Sequence, residues 1–287
     1  MPELPEVETI KLGLQKYVVG KTIVNVEIRL KKMLNGDPKS IIGAKVLDVR
    51  RLGKGLILDL NNGYSIAIHV KLTGQLIYRG PEIPKNTKLS KKVGLALPNK
   101  FTHVIFKLKS QNSKVEDAHL YYNDLRQFGW IKILKTDEIK TLPFFKEMGP
   151  EPFKDLSLDV FKQIVGKGNT AIKVLLMDQK KISGIGNIYA NEALFDAKIH
   201  PERKAKDLSD KEIEILYNSI LKVLKIGLET GGASELQYVN VLGEEGSYQN
   251  HFLVYAQDGK PCPRKNGTIK KIMLGGRGTY FCEQCQR

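Results

Sequence analysis

Residues 55–69 read Gly55-Leu-Ile-Leu-Asp-Leu60-Asn61-Asn62-Gly63-Tyr64-Ser-Ile-Ala-Ile-His69. Two short runs rich in Ile and Leu flank an Asn-Asn-Gly turn, which is the pattern of a β-hairpin. Working outward, similar runs recur at Thr22–Leu30, Gln75–Tyr78, His103–Leu108 and Gly129–Leu134. The first half is therefore expected to be a mostly β domain, a sandwich or flattened barrel. Ahead of it, Val7, Ile10 and Leu14 repeat at helical spacing, so a short amphipathic helix is expected to begin near Pro5. Pro81–Lys100, rich in Lys and Pro and without periodicity, reads as a long surface loop.

Past residue 147 the period changes. Glu147–Phe153 punctuates the chain as a linker, and helices are expected at Leu158–Val165, Ala171–Asp178, Asn187–Phe195 and from Ser209 onward. Ser209 and Glu212 form a capping-box pattern ahead of the stripe Ile213, Leu216, Ile220, Val223 and Leu224, and Gly231-Gly232 ends that helix. The fold class is thus α+β, with segments 1–146, 147–153 (linker), 154–235 (helical), 236–252 (a loop) and 253–287 (a cysteine-containing tail).

The chain has 46 Lys and Arg against 31 Asp and Glu, a formal net charge of +15 over 287 residues. Such a surplus favours a polyanionic partner, because each neutralised phosphate releases a condensed counterion. Charge alone does not separate DNA from RNA, ribosome or anionic membrane. No run is long and apolar enough to span a bilayer, and the opening lacks the layout of a signal peptide, so a cytoplasmic protein is expected. The three cysteines, two of them in Cys282-Glu-Gln-Cys285, suggest a metal site or the remains of one rather than a disulfide framework.

The strongest chemical signal is the opening Pro2-Glu3-Leu4-Pro5-Glu6-Val7-Glu8. It also suits a Pro-initiated helix with acids in the first turn. Once the initiator Met is removed, however, Pro2 presents a secondary amine. An α-amino group titrates near pH 8, so part of it is unprotonated at neutral pH and can attack an electrophilic carbon. Attack on a sugar C1′ gives an iminium ion, an electron sink that acidifies C2′. Glu3 stands beside it as acid or base.

These residues and five further motifs resemble the formamidopyrimidine-DNA glycosylase family over nearly the whole length. The motifs are Arg50-Arg51-Leu-Gly-Lys54, His69-Val-Lys-Leu-Thr-Gly74, Asp124-Leu-Arg-Gln-Phe-Gly129, Met148-Gly-Pro-Glu-Pro152 and Ile182-Ser-Gly-Ile-Gly-Asn-Ile-Tyr-Ala-Asn-Glu192. The tail Val254-Tyr … Gly275-Gly-Arg-Gly-Thr-Tyr-Phe-Cys282 also matches.

The resemblance implies a bifunctional glycosylase and abasic-site lyase. It would remove 8-oxoguanine and formamidopyrimidines from duplex DNA and cut by β,δ-elimination, acting as a monomer. Pro2 would form the Schiff base and Glu3 would protonate the sugar ring oxygen. Glu6 would support the site, while Lys54 and Arg277 would grip phosphates and assist the eliminations. Leu72, Arg126 and Phe128 would fill the void left by the extruded base, with Arg126 on the orphaned cytosine. His103 and Asn187 would contact DNA. Residues 154–235 would carry a helix–two-turn–helix element, 236–252 would lie on the lesion side, and 253–287 would form a zinc-finger-like β-ribbon.

The chain departs from the family at several points. Leu72 replaces the usual Met, and Phe101-Thr-His103 replaces a His-x-His. Cys262, Cys282 and Cys285 keep the zinc spacing, but Lys265 occupies the second ligand position, and a protonated lysine cannot ligate zinc. Either three thiolates hold zinc with a borrowed ligand, or the ribbon folds without metal. Two rival readings have the same chemistry directed at oxidised pyrimidines, or a non-catalytic basic DNA-binding protein.

Overall fold

The computed structural model describes residues 1–84, 87–111, 113–114 and 117–287. The chain divides into two compact units: Met1–Lys146 with Thr230–Gln249, and Glu147–Glu229 with Asn250–Arg287.

The first unit begins with α1 (Leu4–Tyr17), one residue before Pro5. Its strands are β1 (Thr22–Ile28), β2 (Leu34–Asn35), β3 (Val46–Leu52), β4 (Gly55–Leu60), β5 (Tyr64–His69), β6 (Gly74–Arg79), β7 (Thr102–Lys109), β8 (Ala118–Asp124) and β9 (Trp130–Lys135). They form two sheets, β1-β7-β8-β6 and β2-β9-β5-β4-β3, antiparallel throughout except for the parallel pair β2–β9. A short helix, α2 (Pro143–Lys146), ends the continuous part.

One apolar cluster gathers Leu58, Ile66 and Ile68 from one sheet, Leu76, Val104, Phe106 and Tyr122 from the other, and Val7, Ile10 and Leu14 from α1. The β4–β5 turn is tight because Gly63 takes φ +80°, a left-handed value that costs glycine little.

Two segments depart from a simple reading here. The Pro81–Lys100 segment, of which 85 and 86 lie outside the described residues, is the expected surface loop, without helix or strand among its described residues, but part of it is anchored in the core. Val93 is buried in a small cluster with Ile77, Ile105, Tyr121 and Val239, with Leu89 and Leu97 packed against it. Three apolar side chains spaced four apart help seat the segment, together with the Ser90 N–H on the Gly243 carbonyl at 2.8 Å and Lys92 on Glu245 at 2.8 Å. Segment 230–249 also differs from its linear assignment. It folds with the first unit, where Tyr238 and Val241 join the sandwich core and the Val241 carbonyl accepts the Tyr78 N–H at 2.7 Å.

The second unit holds α3 (Leu158–Gly166), α4 (Ile172–Met177), α5 (Asn187–Asp196), α6 (Asp210–Glu229) and a hairpin of β10 (Lys270–Leu274) and β11 (Arg277–Phe281). Ser209 and Glu212 make the expected box: the Ser209 N–H donates to Glu212 Oε2 at 2.8 Å, and the Glu212 N–H returns to Ser209 Oγ at 3.4 Å. Helix α5 is buried on every face from Ile188 to Phe195, as a central helix must be when its neighbours surround it.

Candidate active site and nucleic-acid interface

In the first unit, Pro2 and Glu3 are both buried and lead directly into α1, with Glu3 as its N-cap. Glu3 and Glu6 form a reciprocal capping box. The Glu3 N–H donates to Glu6 Oε2 at 2.7 Å, while the Glu3 side chain accepts the Glu6 N–H. The other Glu6 oxygen accepts the Ala233 N–H at 2.7 Å. Gly232 lies against this carboxylate with φ +84°, and a Cβ there would stand 2.7 Å from Glu6 Cγ. Glu6 is 1% exposed, so its carboxylate fixes the amino-terminal turn to the returning segment from inside.

Lys54 sits at the tight β3–β4 turn, where Gly53 takes φ +54°. Its side chain is buried, 3% exposed, rather than standing free at a strand edge. Beside it in sequence, Arg51 donates to the Gly53 carbonyl at 2.9 Å and pairs with Glu8 at 2.6 Å. Burial works to raise the Glu8 carboxyl, but Arg51 and Lys11 hold it below the ordinary range. His69 is nearby. Burial first, then the charges of Lys71 and Lys54, push its imidazole down to about 3. Its Nδ1 accepts the Lys71 N–H at 2.9 Å, and its ring meets Phe144 edge-on at 4.7 Å.

Leu72 lies on the loop after β5 and Arg126 and Phe128 on the loop after β8, and the two loops are tied. The Arg126 N–H donates to Thr73 Oγ1 at 2.9 Å, which links the loop after β5 to the loop after β8. Asp124, 1% exposed, organises both. One carboxylate oxygen accepts the Thr73 hydroxyl and the Arg126 N–H, and the other accepts the Gly129 N–H at 2.8 Å. Phe128 is left 53% exposed, with the Arg126 guanidinium 4.7 Å from its ring centroid. An aromatic held out in solvent beside a guanidinium is an apolar wedge and a planar donor side by side. Gly129 allows the loop to close, since a Cβ there would stand 2.7 Å from the His69 carbonyl.

His103, expected to contact DNA, is 5% exposed, and its Nε2 lies 2.8 Å from the Asp124 carbonyl. It sits at a register shift between β7 and β8. Reasoning from sequence missed Asp124 as the organiser. The signal was its place at the head of Asp124-Leu-Arg-Gln-Phe-Gly129.

In the second unit, Asn187 begins α5 directly after Gly186, with Gly184 in the left-handed region at φ +91°. Its carboxamide is engaged: Oδ1 accepts from Lys173 Nζ at 2.7 Å, and Nδ2 donates to the Gly278 carbonyl at 3.1 Å. Lys173, fully buried, also donates to Thr279 Oγ1 at 2.8 Å. This lysine was likewise missed as a functional position. It locks the start of α5 to β11, whose first residue is the exposed Arg277. The hairpin turn before Arg277 is Gly275-Gly276, both at positive φ. Lys173, Val174, Leu274 and Arg277 border an open cleft of about 510 Å³. Glu192, also buried, accepts the backbone N–H groups of Leu253, Val254 and Tyr255 at 2.9, 3.0 and 2.8 Å. Burial outweighs these bonds and raises its carboxyl above the ordinary range.

The thiols of Cys262, Cys282 and Cys285 converge, with all three Sγ atoms within 4.8 Å of one another. They are buried with Phe195, Val254 and Ile269. Three convergent thiols suit three corners of a tetrahedral zinc, which would tie the base of the ribbon together. Lys265 stays exposed and supplies no donor.

Family models match the chain in three stretches. These are the formamidopyrimidine-DNA glycosylase N-terminal domain at residues 1–131, the H2TH domain of the same family at 148–238, and a zinc finger found in FPG and IleRS at 259–287. Curated formamidopyrimidine-DNA glycosylases from Pelotomaculum thermopropionicum and Streptococcus mutans are 39% and 37% identical. Both alignments span the whole chain and 99% and 100% of the relatives. Lactococcus lactis Fpg bound to DNA containing N7-benzyl-Fapy-dG superposes with a TM-score of 0.85 at 32% identity over 100% of both chains. The same enzyme bound to DNA with an abasic site gives 0.85 at 31% identity over 99% of both. Among the described residues no helix is long and apolar enough to cross a membrane. With its capped Pro2-Glu3 terminus, its two loops tied through Asp124 and these full-length matches, the chain belongs to the formamidopyrimidine-DNA glycosylase family.

Proposed function

We propose that this chain excises oxidised purines, 8-oxoguanine and formamidopyrimidines, from duplex DNA and cuts the strand at the resulting site. The observation that carries this reading is the placement of Pro2 and Glu3 at a helix start that Glu6 holds rigidly. After Met1 is removed, the Pro2 nitrogen attacks C1′ and the glycosidic bond breaks, with Glu3 delivering a proton to the ring oxygen as the sugar opens. The resulting iminium withdraws electrons from C2′. Loss of a C2′ proton expels the 3′ phosphate, and loss of a C4′ proton then expels the 5′ phosphate. Water hydrolyses the remaining imine, which releases the unsaturated sugar aldehyde and returns Pro2 to its amine.

Leu72 and Phe128 fill the stack while Arg126 donates hydrogen bonds to the orphaned cytosine. Lys54 and Arg277 bind phosphates, and Asn187 shapes the backbone at the start of α5. His103 contacts DNA, with its ring held by the Asp124 carbonyl. The surplus of 46 Lys and Arg over 31 Asp and Glu supplies the general attraction to DNA. The reading has the protein act in the cytoplasm, as a monomer, on duplex DNA containing oxidised bases or abasic sites.

Incision of a duplex with one 8-oxoguanine opposite cytosine tests it. The expected products carry phosphate at both ends of a one-nucleotide gap, and Pro2→Gly should remove the base-excision step. An intact duplex after incubation with protein beginning at Pro2 would overturn the reading.

A further inference from the structure

The cysteine cluster lacks a fourth thiol, but it has a fourth donor atom. Asn266 Oδ1 lies 2.8 Å from Cys285 Sγ, and Cys285 Sγ lies 3.4 Å from Cys262 Sγ. The backbone explains how residue 266 reaches a position that the residue before it cannot. Lys265 takes φ +59°, and the turn is closed by the Lys265 N–H on the Cys262 carbonyl at 2.8 Å and the Cys262 N–H on the Gly267 carbonyl at 2.7 Å. The left-handed residue turns its own side chain to solvent and delivers the next carboxamide oxygen onto the thiols.

We infer that Asn266 supplies the fourth ligand of a zinc centre whose other ligands are Cys262, Cys282 and Cys285. Zinc accepts oxygen donors as well as sulfur, in tetrahedral sites that need not be all-thiolate. On binding, the three thiols release their protons to solvent, and the Cys285–Asn266 hydrogen bond is exchanged for two bonds to the metal. Zn²⁺ with three thiolates and a neutral amide leaves the centre one charge less negative than four thiolates would. A neutral amide oxygen is a weaker donor than a thiolate, so the site holds zinc less tightly than a four-cysteine finger. Gln284 is the nearest rival, its Oε1 standing 3.5 Å from Cys282 Sγ. It stands farther from its thiol than Asn266 Oδ1 does from Cys285 Sγ.

The test uses the full-length protein, stripped with chelator and reloaded with Zn²⁺. X-ray absorption at the zinc edge should report three sulfur ligands and one oxygen in wild type. In Asn266→Cys the sulfur count should rise to four, which requires residue 266 to point at the metal. Competition with a zinc indicator should show Asn266→Ala weakened by at least about tenfold. Asn266→Asp, which keeps an oxygen at that position, and Gln284→Ala should both stay within a few-fold of wild type. Four findings would each overturn the assignment: no stoichiometric zinc in reloaded wild type, three sulfurs in Asn266→Cys, wild-type affinity in Asn266→Ala, or a loss in Gln284→Ala matching that of Asn266→Ala.

Discussion

Glu6 and Ala233 are 227 positions apart in the chain, yet Glu6 Oε1 accepts the Ala233 N–H at 2.7 Å while the other oxygen holds the N–H of Glu3. One buried carboxylate thus connects the amino-terminal turn, which carries the proposed nucleophile and its acid, to the segment that returns to the first unit. Removing it leaves two buried donors without this acceptor, at about 1–3 kcal/mol each. Glu6→Ala should therefore lower the denaturant midpoint clearly. Gly232→Ala should do the same, because its Cβ would stand 2.7 Å from Glu6 Cγ at a left-handed φ. Equilibrium unfolding of both variants checks this, and midpoints equal to wild type would remove Glu6 from the supporting role.

His69 gives a pH-dependent prediction. Its imidazole is pushed down to about 3 in the folded protein, against an ordinary value of 6.5 in the unfolded chain. Between those values the unfolded state binds more protons, so this group's contribution to stability is complete above 6.5 and is lost as pH falls towards 3. The His69 ring resonance should show no titration by NMR down to pH 4. A midpoint near 6.5 would mean the ring is solvated.

Asp124 and Arg126 should share a phenotype although only Arg126 is placed on the orphaned base. A guanidinium that recognises the opposite base discriminates by about 1–3 kcal/mol per good pair of contacts. Excision should be faster opposite cytosine than opposite adenine, and Arg126→Ala should erase much of the gap. Asp124→Ala, which frees the loop at Thr73, Arg126 and Gly129, should narrow it too. Unchanged preference in Arg126→Ala would take the residue out of recognition.

Much of the fold was legible because hydrophobic period is set locally. β4 and β5 announce themselves by Ile and Leu runs around Asn61-Asn62-Gly63, and α6 by its box and stripe. Strands β3 and β8 were not legible. In β3 the charged Asp48, Arg50 and Arg51 interrupt the apolar run, and Arg50 pairs with Asp59 across the hairpin. In β8 nearly every residue is buried, polar Asn123 and Asp124 included, so no alternation remains. At the site, resemblance to the family named the candidates for contact with DNA or sugar. It did not disclose Asp124, Lys173 or Asn266, whose roles depend on partners brought near by folding.

Glu3 and Pro2 can be separated by substrate. Glu3→Gln keeps the N-cap geometry, since an amide oxygen can still accept the Glu6 N–H, but it loses the acid. It should slow release of the oxidised base far more than cleavage at a preformed abasic site. Equal losses on both substrates would make Glu3 structural.

The central claim is a covalent bond between Pro2 and the damaged sugar, and reduction captures it directly. Borohydride added during reaction with duplex DNA containing 8-oxoguanine should yield a stable protein–DNA cross-link, with mass spectrometry placing the sugar remnant on Pro2. Protein retaining Met1 should give none, because an amide nitrogen is not nucleophilic. No cross-link from protein confirmed to begin at Pro2, or a cross-link mapped to Lys54, would contradict the account.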